Sequence, residues 1–167
     1  LGDHTETVEI LYDPSEVTYD KLLEVFWASH DPSGRPWSRQ YMSAIFTHGE
    51  EQARLARESK MREEKRRNRS LSTEIVAASR FYPAEEYHQK YNLRRRGDLT
   101  RHLGGTYGSI PEFLDSTLAA RLNGLAAGYG GAERVRDEMT RAGVPPSEVD
   151  AMLATLGFRT EKAKTER

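Results

Sequence analysis

The sequence predicts an α/β fold for the first part of the chain, with helices packed on a sheet, and an α-helical extension after it. Three observations predict this. Two strand-type stretches, Thr7 to Tyr12 and Tyr41 to Thr47, are each followed by a helical pattern, and a third, Thr73 to Ala77, follows the second helix. The connections have a length that suits right-handed crossovers. Beyond Arg96 the texture changes to short alanine-rich segments broken by Gly104, Gly105, Gly108, Gly124, Gly128, Gly130 and Gly131.

Each element has its own local signals. Thr7 to Tyr12 is rich in β-branched and aromatic residues and ends at Asp13-Pro14, a pair that stops a strand and opens a turn. Thr18 to Ser29 sets Tyr19, Leu22, Leu23, Val25, Phe26 and Trp27 close to helical spacing behind Thr18 as N-cap, and the helix ends near Asp31-Pro32. Ser33 to Arg39 is a turn with two breakers, Gly34 and Pro36, and an aromatic, Trp37, placed to close over a cleft. Tyr41 to Thr47 alternates as a strand. Glu50 to Arg69 reads as a surface helix with a thin apolar stripe of Ala53, Leu55, Ala56 and Met61, and its basic end suits the helix dipole better than a nucleic acid. A short helix is expected after Pro83. Three more are expected over Ile110 to Leu125, Ala132 to Ala142 and Ser147 to Leu156, the last with Ser147 and Asp150 in a capping arrangement. The expected layout is residues 1–96 as one domain, 97–159 as a helical extension and 160–167 as a disordered tail.

Composition sets limits. With 25 Lys and Arg against 26 Asp and Glu in 167 residues, the net charge of −1 gives no overall field that would draw in nucleic acid or an acidic membrane. The absence of cysteine excludes disulfides, thiolate metal sites and a cysteine nucleophile within these residues. No apolar stretch approaches the roughly twenty residues a membrane crossing needs. The chain starts with Leu1 instead of methionine, from which a preceding segment is expected.

The candidate chemistry centres on Glu6 and Tyr41. A desolvated carboxyl near a strand end can hold and donate a proton near neutral pH, and a phenol can hydrogen-bond a developing oxyanion. Each has a plainer alternative, an exposed strand glutamate and a rim tyrosine. His4, His30, His48, His88 and His102 are scattered without ligand spacing, so no metal is expected. The glycine pairs near 104 and 130 do not follow a strand in a dinucleotide pattern, which argues against nucleotide phosphate binding.

Taken together, HTETVEILYDPSEVTYDKLLEVFWASHDP, RQYMSAIFTHGEEQ and TEIVAASRFYPAEEYHQKY resemble, over about the first 91 residues and in the same order, the class A methionine sulfoxide reductases, peptide-methionine (S)-S-oxide reductases. The resemblance implies a ferredoxin-like α/β sandwich with a mixed sheet. It implies that Glu6 protonates the sulfoxide oxygen and that Tyr41 binds and polarises it. Beside these, Trp37, in the loop that departs from the family, and the aromatic Tyr82 are expected to bind substrate. The resemblance implies no cofactor, methionine sulfoxide in peptides or proteins as substrate, and thioredoxin or a small thiol as reductant. A cytoplasmic monomer without nucleic-acid or membrane partners is expected.

The family's attacking cysteine or selenocysteine, in a glycine-cysteine-phenylalanine-tryptophan stretch, is not among these residues. Its longer glycine- and asparagine-rich loop is replaced by Ser33 to Arg39, its resolving cysteine is absent, and the extension has no expected counterpart in the family. The chain by itself is therefore expected not to turn over. The alternative is a cysteine-free pseudoenzyme that binds methionine sulfoxide or a partner peptide, and with either reading the extension could be an interaction module.

Overall fold

The computed structural model describes residues 4–34, 36–97, 100, 103 and 107–158. The chain divides into two compact units, Leu1–Tyr82 and Pro83–Arg167. The fold is mixed α/β and mostly helical, with a small two-stranded parallel sheet and helices toward the C-terminus. The tail expected over Thr160 to Arg167, together with Gly104, Gly105 and His102, lies outside the described residues.

In the first unit, helix α1 (Tyr19–Ala28) starts as expected, with Thr18 Oγ1 accepting from the Lys21 N–H at 3.2 Å. Its face of Leu23 and Trp27 is buried. Two Asp-Pro-Ser turns frame it by the same device: Asp13 Oδ1 accepts from the backbone N–H (2.8 Å) and hydroxyl (2.7 Å) of Ser15, and Asp31 Oδ1 does so from Ser33 (3.0 and 2.5 Å). The serine hydroxyls, then the backbone bonds, hold both carboxyls below their ordinary pKa.

Strand β1 (Ala44–Thr47) leads through Gly49, at φ +88°, into α2 (Glu50–Arg67), which returns the chain to β2 (Glu74–Ala77). The strands pair in parallel from Ala44 opposite Glu74 to Thr47 opposite Ala77. Such a pair needs a crossover, and α2 supplies it. Leu23, Trp27, Ile45, Ala56 and Leu71 form the core beneath.

Three expectations for this unit need correction. Thr7 to Tyr12 is not a strand; Val8 and Leu11 are 84% and 94% exposed. Strand propensity is a preference for a pleated, half-buried surface, and among the described residues no neighbouring strand supplies one. The second strand starts at Ala44 instead of Tyr41, because Arg39–Tyr41 forms a turn of 3₁₀ helix. In α2, Met61 is exposed, and the buried stripe is Ala53, Ala56, Ser59 and Glu63. The polar members of that stripe are paid for by partners: Trp27 Nε1 donates to Ser59 Oγ at 3.0 Å, while Glu63 receives Arg66 and Arg67.

The second unit contains α3 (Tyr91–Arg94), α4 (Ile110–Asp115), α5 (Thr117–Ala126), α6 (Ala132–Arg141) and α7 (Pro146–Thr155). Leu93, Leu122, Met139, Met152 and Leu153 make the centre of its core. The helix expected directly after Pro83 is instead a set of turns over residues 86–90, and Lys90, at φ +48°, separates them from α3. The single helix expected over Ile110 to Leu125 is two, because Ser116 is extended (ψ 127°) and its Oγ caps α5 by accepting from the Ala119 N–H. Ser147 caps nothing. The N-cap of α7 is Pro145, and Asp150 pairs with Arg136 at 2.6 Å.

Candidate active site

Glu6 is held by Gln40. Its backbone N–H donates to the Gln40 carbonyl at 3.0 Å, and its Oε1 accepts from Gln40 Nε2 at 2.8 Å. One residue back, Thr5 Oγ1 donates to the Arg39 carbonyl at 3.2 Å, so residues 5 and 6 run along the turn that carries Tyr41. That turn is closed by the Tyr41 N–H on Ser38 O (3.3 Å) and the Met42 N–H on Arg39 O (3.3 Å). Glu6 is thereby bonded to Gln40, the residue before Tyr41 in that turn.

Glu6 is exposed and not desolvated, so the burial that the sequence reading asked of it is not present. Trp37 stacks on Tyr41, ring centroids 4.9 Å apart and planes at 27°. This gives the short Ser33 to Arg39 loop a definite role: it lays an indole beside the phenol. Tyr82 has its own neighbours: the His4 ring lies 5.2 Å from it, and the Arg80 guanidinium sits 4.9 Å from the Tyr82 ring centre. Trp37 and Tyr82 remain more than half exposed. A groove of about 450 Å³ lies elsewhere in this unit, along α2 and β2 from Arg57 to Ile75, and Glu6 and Tyr41 do not line it. The candidate site is the exposed Trp37–Tyr41 stack on the turn to which Glu6 is bonded through Gln40.

A part-buried polar chain starts two residues after Tyr41, at Ser43. His30 Nδ1 lies 2.9 Å from the Phe26 carbonyl and its Nε2 2.8 Å from Ser43 Oγ, which lies 2.8 Å from Thr73 Oγ1. These contacts tie the end of α1, the residue before β1 and the residue before β2. Among the described residues no three of the His, Asp and Glu side chains come together as a metal site.

Sequence reasoning overlooked two residues here. Gln40 stood in the quoted RQY motif without a role, and only its spacing one residue before Tyr41 could have drawn attention to it. Ser43 carried no signal, since a lone serine before a strand is ordinary.

Comparison with known proteins bears on the same residues. The model of the family described as peptide methionine sulfoxide reductase matches residues 2–104, a stretch that contains Glu6, Trp37, Gln40, Tyr41 and Tyr82. The chain belongs to the peptide methionine sulfoxide reductase family. Among curated relatives, a peptide methionine sulfoxide reductase of Drosophila melanogaster is 41% identical over 151 residues, covering 89% of this chain and 60% of the relative. Peptide methionine sulfoxide reductase A5 of Oryza sativa subsp. japonica is 48% identical over 135 residues, 76% of this chain and 52% of its own length. The A2 protein of Arabidopsis thaliana matches 97 residues at 45% identity, 55% of this chain and 44% of its own length. This chain therefore spans about half the length of the curated relatives it matches.

The shares differ in an informative way. A match covering 76% or 89% of 167 residues has to run past residue 104, into the helical second unit. The expectation that the extension has no counterpart in the family is thus corrected: some reductase relatives are similar to it there as well. No helix among the described residues is long and apolar enough to cross a membrane.

Proposed function

We propose that this chain supplies the proton donor and the substrate-orienting face of a thiol-dependent peptide-methionine (S)-S-oxide reductase. Glu6 gives a proton to the sulfoxide oxygen, Tyr41 donates its phenolic hydrogen to the same oxygen, and Trp37 and Tyr82 offer aromatic surface to the methionine side chain. A sulfoxide sulfur is a poor electrophile while its leaving group is oxide-like, so donors aimed at that oxygen act where charge develops. In the net step a thiol and the sulfoxide become a sulfenic acid and a thioether; the oxygen moves to the thiol sulfur, which is oxidised by two electrons as the methionine sulfur is reduced by two. Two further thiols, of a thioredoxin or a small molecule, return the sulfenic acid to thiol and release water and a disulfide.

Since the 167 residues contain no cysteine, the attacking sulfur or selenium belongs to residues other than these. In this reading residues 1–96 carry the reductase function, 97–159 are a helical extension, and the whole domain is a ferredoxin-like sandwich with a mixed sheet. A cytoplasmic setting and a monomeric state complete it.

The observation that carries the reading is the Gln40-mediated approach of Glu6 to the Tyr41 turn, inside the stretch that matches the family. The test uses methionine sulfoxide with dithiothreitol. The 167-residue chain is expected to form no methionine, and the chain extended by a glycine-cysteine-phenylalanine-tryptophan segment to form it, with a loss of about 100-fold or more on Glu6→Gln. Turnover by the bare chain would refute the placing of the nucleophile. An extended chain that binds methionine sulfoxide without reducing it would favour the pseudoenzyme.

A further inference from the structure

We propose that Gln40 is a positioning residue for the reductase step, setting which oxygen of Glu6 carries the transferable proton. The inference rests on the reading of Glu6 as the acid. Its basis is the double attachment: Gln40 accepts the Glu6 backbone N–H through its own carbonyl (3.0 Å) and reaches the Glu6 carboxylate with its side-chain amide (2.8 Å). One attachment fixes the main chain of the acid and the other fixes its side chain. The amide nitrogen faces Oε1, the orientation that the ionised carboxylate, which only accepts hydrogen bonds, requires. With Oε1 occupied by that N–H, a proton on Glu6 resides on Oε2, and Oε2 is the atom left to meet a substrate oxygen.

The same residue fixes the other partner in sequence. Tyr41 follows Gln40 directly in a closed turn, so any displacement of Gln40 relative to Glu6 displaces the phenol relative to the carboxyl. Proton transfer and oxyanion stabilisation both depend on the donors lying within hydrogen-bond reach of one oxygen, and misplacement on the order of 1 Å costs about a hundredfold. Gln40 therefore acts on the chemical step and not on the aromatic face that Trp37 and Tyr82 present.

The experiment is a double-mutant cycle in the thiol-bearing extended chain, with kcat and KM read separately. Gln40→Leu removes the amide, and Gln40→Glu replaces it by a nearly isosteric group that repels the carboxylate. Both should lower kcat by roughly ten- to a hundredfold with KM within about twofold. Introduced into Glu6→Gln, Gln40→Leu should cost nothing further, because the group it positions is gone. If Glu6→Gln impairs turnover while both Gln40 variants leave kcat intact, or if the losses multiply, the positioning role is overturned and the role of Glu6 stands. Should Glu6→Gln leave turnover intact, the acid assignment falls and this inference with it. In the 167-residue chain, Glu6→Gln should also move the Gln40 side-chain amide resonances; unmoved resonances would overturn the contact whatever the variants do to folding.

Discussion

Replacing Glu63 by Gln tests how α2 is fastened to α1. The carboxylate is 8% exposed and accepts Arg66 Nη2 at 2.6 Å and Arg67 Nε at 2.5 Å, while Arg67 Nη2 continues to the Trp27 carbonyl at 2.8 Å. The hydrogen bond from Arg66, assisted by that from Arg67 and opposed by burial, pushes the Glu63 pKa down from 4.5 to about 2. At ~1.4 kcal/mol per unit this is a ceiling of about 3.5 kcal/mol. The Arg66 side chain is 65% exposed, so water screens its share, and about 1–2 kcal/mol is the expected contribution. Because the folded pKa is the lower one, the stabilisation is complete above the unfolded value of 4.5 and is lost as pH falls toward 2. Urea unfolding followed by circular dichroism should place Glu63→Gln about 1–2 kcal/mol below the parent at pH 7, with the gap closing between pH 4.5 and pH 2. A gap that is absent at pH 7, or that persists unchanged to pH 2, would refute the assignment.

Three further perturbations read other parts of the molecule. Ser43→Ala leaves His30 Nε2 and the buried Thr73 hydroxyl without the atom that joins them, and should cost about 1–3 kcal/mol in urea unfolding; an unchanged midpoint would show the polar chain to be dispensable. Leu122→Ala opens a cavity at a fully buried position of the second unit and should cost about 2–5 kcal/mol, measured on the cooperative loss of helical signal. Trp37→Ala removes the stack on Tyr41, worth about 0.5–1.5 kcal/mol, and in the thiol-bearing chain should raise KM severalfold with kcat little changed; a fall in kcat alone would place the indole in the chemical step instead.

What could be read from the sequence was what a segment decides for itself. Thr18 caps α1 because its hydroxyl and the N–H it satisfies are three residues apart, and both Asp-Pro turns close on a serine two residues on. The helical spacing of Val149, Met152 and Leu153 gives the face that is buried in α7. Polar partnerships between distant segments had no such signature. Trp27 with Ser59, Arg67 with the Trp27 carbonyl, and His30 with Ser43 and Thr73 join residues chosen by the fold, not by spacing. A basic helix end looked like charge suited to a dipole; in the structure two of its arginines close over a buried carboxylate.

Thr7 to Tyr12 shows why residue type and conformation part company. Its residues favour a sheet, yet a strand in water gains little until its backbone groups meet a neighbour's and its apolar side chains meet a face. Among the described residues the backbone condition is met just before this stretch, where Thr5 and Glu6 bond to Arg39 and Gln40, and the pairing stops there. The candidate site lies at that stopping point. Its acid is fixed by contacts thirty-four residues away in sequence, which no local pattern encodes, whereas the RQY and HTE motifs that hold the two ends of those contacts were legible as a family resemblance.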